Sequence, residues 1–117
     1  MKKLFLALPL ALAVATPAQA TGGLVCRTAG PNPIEAWLVI SHTVVPSVVS
    51  ATLSDRGRDV PVKLAQSWLE ANELRLDLTD DNAMRHELRL RVKRNGSAYD
   101  GSLWRNGFRR WVRCREG

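Results

Sequence analysis

The 117-residue chain holds only two histidines and two cysteines, and neither pair falls in a spacing that chemistry uses locally. There is no GxSxG, no HExxH, no glycine-rich phosphate loop and no CxxC. These absences remove the motif-borne routes to nucleophilic, metal-assisted and phosphoryl-transfer catalysis. No enzyme, cofactor or metal is therefore expected. His42 lies between two strand candidates and His86 starts one, ordinary places for surface histidines. Glu35, Asp55, Asp59 and Glu87 are the other source of acid–base chemistry, and no pattern ties any two together. Apolar runs are short as well. None reaches the roughly 20 residues that a membrane-spanning helix needs. The chain has no internal repeat and no low-complexity segment.

What is present begins with a leader. Lys2 and Lys3 precede an apolar stretch from Leu4 to Val14, and Ala18-Gln19-Ala20 offers a small-x-small cleavage site. That is a secretory signal pattern, dividing the chain into a signal peptide at 1–20 and a single exported β domain at 21–117. No cysteine follows the cleavage site directly, so the product is expected to be soluble, periplasmic or secreted, and monomeric. Cys26 and Cys114 sit near the two ends of that domain. Outside the cytoplasm they are expected to oxidise to one structural disulfide.

Charge is unevenly spread. Residues 21–84 carry five Lys/Arg against eight Asp/Glu, whereas residues 85–117 carry ten against three. The basic character belongs to the last third of the chain, which bears on partners rather than on fold.

Short apolar-alternating runs between turn residues predict an all-β domain, a small antiparallel barrel or closed sandwich of about eight strands. The strands are expected at 24–28, 35–41, 47–54, 60–68, 73–79, 85–94, 98–104 and 108–114. Asn95-Gly96 and Asn106-Gly107 have the chemistry of two-residue hairpin turns. The first predicts Val92 opposite Tyr99, Leu90 opposite Gly101, Leu88 opposite Leu103, and Glu87 opposite Trp104. The second predicts Trp104 opposite Arg109, Ser102 opposite Trp111, and Tyr99 opposite Cys114. Leu74, Leu76, Leu78, Leu88, Leu90 and Leu103 then face inward and fill the interior. A three-residue Glu70-Ala71-Asn72 turn, with Asn72 left-handed, would put Trp68 inward with them. A short helix over 64–72 is the alternative, and continuing β patterning on both sides favours the hairpin.

Both registers send Arg89, Arg91, Trp104, Arg109, Trp111 and Arg113 to the outer face of the last three strands. Arginine's planar fork matches phosphate and carboxylate, and indoles stack on sugars or bases. The same residues also stabilise a sheet by cross-strand Trp–Arg pairing alone. The functional expectation is a non-enzymatic binding surface for an anionic envelope component: a glycan, a lipid headgroup or an acidic protein surface. Nucleic acid ranks lower, because an exported protein rarely meets it. Asp77, Asp80, Asp81 and Asn82 offer hard oxygens suited to calcium. Their spacing is not that of an EF-hand, and a backbone-capping turn fits them better.

In Cys26, Cys114, domain length and strand number the chain is similar to the small exported C-type lysozyme inhibitors. That likeness implies a short β barrel pinned between first and last strands, acting as a periplasmic hydrolase inhibitor. Ser54-Asp55-Arg56-Gly57-Arg58 would stand where those inhibitors carry a serine–glycine loop. Their lysine–glycine loop has no counterpart, since Leu64 follows Lys63 and Arg94 follows Lys93.

Overall fold

Alternation of apolar and polar residues, cut by proline and glycine, builds nine strands among the described residues. The computed structural model describes residues 21–42 and 44–117, so the expected leader lies outside the described residues. The strands are β1 (Thr21–Thr28), β2 (Ile34–Ser41), β3 (Ser47–Asp55), β4 (Arg58–Val60), β5 (Lys63–Leu69), β6 (Glu73–Thr79), β7 (His86–Asn95), β8 (Ala98–Arg105) and β9 (Phe108–Glu116). They form one antiparallel sheet in the order β4-β3-β2-β1-β9-β8-β7-β6-β5. The first and last strands therefore lie side by side at its middle.

The sheet coils into a half-barrel whose edge strands, β4 and β5, share no ladder. This corrects the expected closed barrel or sandwich of about eight strands. The cause sits at Pro61, which falls inside the run expected to be one strand from Val60 to Trp68. Proline cannot donate to a ladder. β4 stops at Val60 after pairing three residues with β3, and the chain restarts at Lys63 on the opposite edge. Across the open seam Ala51 of β3 and Leu64 and Leu69 of β5 pack against the core by side chains alone.

The six leucines expected inside are all buried, together with Leu24, Leu38, Leu53, Val92 and Val112. Cys26 and Cys114 oppose one another on β1 and β9 and are joined by the disulfide. Gly101 faces the same interior. A Cβ there would overlap the Arg91 carbonyl oxygen and come within 2.9 Å of Val92 Cα, so glycine permits the tight approach of β7 to β8.

The turns decide the registers. Asn106 and Gly107 both have positive φ, as a type I′ turn requires, and every expected β8–β9 pair is present. At the other hairpin Asn95 pairs with Ala98, and only Gly96 of the turn has positive φ. The central pair is thus Gly96-Ser97, as a glycine-first type II′ turn uses, rather than Asn95-Gly96. The register moves by two, giving Val92 opposite Gly101, Leu90 opposite Leu103 and Arg89 opposite Trp104. A shift of two keeps every side chain on its expected face.

The 64–72 segment is a hairpin and not a helix, but its turn is shorter than expected. Glu70 donates its backbone N–H to the Glu73 carbonyl (2.9 Å), and Leu69 pairs with Leu74. Asn72 does not adopt positive φ. This one-residue difference turns Trp68 outward, half exposed, and Leu69 inward. A bulge at Ala65 then restores Leu64 to its place opposite Leu78.

Candidate functional site

Three cross-strand rows make up the outer face of β5 to β9. One runs Gln66, Asp77, Arg89, Trp104, Arg109. The next runs Trp68, Arg75, Arg91, Ser102, Trp111. The third runs Glu73, Lys93, Asp100, Arg113 and continues through Arg27 to Glu35 on β1 and β2. All six residues singled out from the sequence thus lie together on adjacent strands. The rows hold seven cations against four carboxylates. Both faces of the sheet follow from one alternation: the leucines that fill the interior leave every second residue outside.

The arginines are held rather than loose. Arg91 Nη1 lies 3.1 Å from Asp77 Oδ1, and Arg89 Nε reaches the same oxygen at 3.4 Å. His86 Nε2 stands 4.0 Å from that oxygen too. Arg113 makes a two-pronged pair with Asp100, at 2.6 and 2.8 Å. Arg113, with help from the Asn95 amide (2.7 Å), holds the Asp100 carboxyl down to about 2. Arg109 donates to the neutral Ser102 hydroxyl at 2.8 Å. Arg75 binds Glu73 at 2.8 Å and keeps that carboxyl below its ordinary value. Two arginines also lie over indoles, Arg113 5.2 Å from the Trp111 centroid and Arg75 6.0 Å from Trp68.

The four tryptophans avoid the buried core. Trp37, Trp68 and Trp111 are each about half exposed and Trp104 is intermediate. Sequence reasoning missed Trp68 as a member of this surface, because the turn at 70–73 was assigned one residue too many, and Arg75 because its place opposite Arg91 depends on pairing β6 with β7. It also missed Asp77 as an arginine partner, and Asp100, which the first expected register sets opposite Arg91, instead lies opposite Lys93 and is gripped by Arg113. The partners of Asp77 lie 12 and 14 residues away and become visible only once β6 and β7 are paired. Asp80 has the capping role its residue type implies, accepting the backbone N–H of Met84 at 2.7 Å and of Arg85 at 3.1 Å. These bonds hold its carboxyl below the ordinary range.

Other candidates are consumed by the fold. Asp55 and Glu87, which nothing in the sequence connects, both grip Arg105, at 2.7 and 2.9 Å. All three side chains are nearly buried. Glu87 was expected on the outer face opposite Trp104; a bulge beside Thr79 displaces it toward Arg105 instead. The Ser54–Arg58 stretch is the β3–β4 turn, and its aspartate is committed to that ion cluster. His42 lines a cavity of about 690 Å³ at the end of the half-barrel formed by Gly22, Gly23, Tyr99 and Arg94, whereas His86 belongs to the other end. Among the described residues no group of three or more His, Cys, Asp or Glu is placed to hold a metal.

No family model, no curated protein and no solved structure matches this chain.

Proposed function

We propose that this is an exported, non-enzymatic binding module that holds an anionic envelope component on the outer face of β7, β8 and β9. The contacts are assigned to Arg89, Arg91, Trp104, Arg109, Trp111 and Arg113. The observation that carries the reading is the excess of cations over carboxylates on a face that also exposes indoles. Core packing does not need that composition, since leucines and valines already fill the interior. Arg109 supports it most directly, because the bond it makes to Ser102 is neutral and leaves its charge uncompensated. The secretory pattern at 1–20 and the Cys26–Cys114 disulfide fit an oxidising compartment, where glycans, lipid headgroups and protein surfaces are the anions available.

The test is binding of the oxidised 21–117 domain to peptidoglycan fragments, lipopolysaccharide, anionic vesicles and acidic polysaccharide at two salt concentrations. Affinity should fall steeply as the Debye length shortens to about 8 Å at 0.15 M. It should fall further in Arg89→Gln/Arg109→Gln. Salt-independent binding, or full affinity in that double variant, would overturn the assignment.

A further inference from the structure

We infer that the ligand is an extended acidic polysaccharide lying across the strands, along the Trp68–Arg75–Arg91–Ser102–Trp111 row. The inference rests on the anion-binding reading above and gives that surface its ligand class and direction.

Length comes first. The row crosses from β5 to β9, four strand spacings, or about 19 Å along the surface at 4.7–4.9 Å each. An exposed indole stands at each end, and each has a guanidinium over its ring. A single phosphate or headgroup engages one end only. A chain engages both, laying the C–H face of a sugar ring on an indole while the N–H groups of the neighbouring guanidinium not taken by Glu73 or Asp100 reach its carboxylate or sulfate. Two indoles repeated on one row at this separation suit a ligand made of repeating rings.

Charge density comes next. Cations on this face alternate with Asp77, Glu73 and Asp100. Duplex DNA presents one charge per roughly 1.7 Å of axis and each of its strands one per roughly 3.4 Å, so a nucleic acid backbone cannot avoid those carboxylates. A sugar acid spaces its charges further apart and carries hydroxyls between them. Those hydroxyls donate to carboxylates, so the interleaved acids become hydrogen-bond acceptors rather than repulsive sites.

Shape excludes a third class. The outer face of a coiled sheet is convex, so a planar bilayer meets only a strand or two at once. A flexible chain follows the curve from β5 to β9.

The experiment uses oligogalacturonides of increasing length with the oxidised 21–117 domain. Affinity should climb with length and level off once the chain spans the row. Trp68→Ala should weaken the long oligomers about tenfold, the order that one lost stacking contact gives, and the short ones by no more than about twofold, since they keep the Trp111 end. Trp68→Phe should keep most of the affinity, which separates loss of stacking from damage to the edge strand. Trp37→Ala, on β2 and off the row, should change nothing. Binding that ignores length, or ignores Trp68, overturns the row while leaving an anion-binding face. Single-stranded DNA binding more tightly than the longest oligomer overturns the ligand class. If no anionic polymer or vesicle binds at all, the underlying reading fails as well.

Discussion

Asp100 and Arg113 form one pair of side chains that bears both on stability and on the proposed binding. The carboxyl is held at about 2, below the value near 3.9 of an unfolded aspartate. Its folded pKa is depressed, so its contribution to stability is complete above roughly pH 4 and is lost as pH falls toward 2. Carboxyl NMR titration should find the Asp100 midpoint near 2, and Asp100→Asn should remove that part of the acid limb. The same variant frees Arg113, so it should bind acidic polymers more tightly than the parent, as calorimetry at low salt would measure. A second residue-scale outcome concerns Gly101. Its added Cβ meets backbone on β7, not a flexible side-chain end, and Gly101→Ala should cost about 1–3 kcal/mol in urea unfolding, as overpacking does.

At the scale of elements, the hairpins explain which parts of the fold were legible in the sequence. Asn106-Gly107 names its own turn, because both residues tolerate positive φ, and the β8–β9 register followed from it. Asn95-Gly96 looked the same, yet glycine there takes the first central position and Ser97 the second. The resulting shift of two left inside and outside unchanged, which is why all six candidate residues landed on one face. At Glu70–Glu73 no residue dictates a turn type. The one-residue error that followed reversed Trp68 and Leu69, and the bulge at Ala65 that confines the reversal has no sequence signature. Pro61 was visible, but that it sends the chain to the opposite edge of the sheet depends on long-range pairing. Trp68→Ala should cost about 0.5–1 kcal/mol, the size of the exposed cation–π contact with Arg75 that it removes. Leu69→Ala, at a half-buried inward site, should cost about 1–2 kcal/mol, below the range for fully buried leucines. Chemical denaturation of the two variants side by side checks the assignment of faces.

For the whole molecule, two long-range ties hold an open sheet in its curve. The disulfide joins β1 to β9 across a separation of 88 residues, and reduction should lower unfolding free energy by about 4–5 kcal/mol in the loop-entropy account. The second tie is Arg105, which links the β3–β4 turn to β7 and β8 through Asp55 and Glu87. Breaking a buried ion cluster by removing one member strands the others, so Arg105→Gln should cost about 3–5 kcal/mol. Denaturant midpoints measure both effects. With the curve fixed in this way, the outer face becomes a preformed surface on which all four tryptophans are displayed. A ¹H–¹⁵N spectrum of the indole N–H groups therefore reads that face with four signals, and adding long oligogalacturonide at low and at physiological salt is the most direct test of the account. Trp68, Trp104 and Trp111 should shift together, Trp37 should stay, and the shifts should shrink as salt rises. Four unmoved signals, or a shift of Trp37 alone, would contradict it.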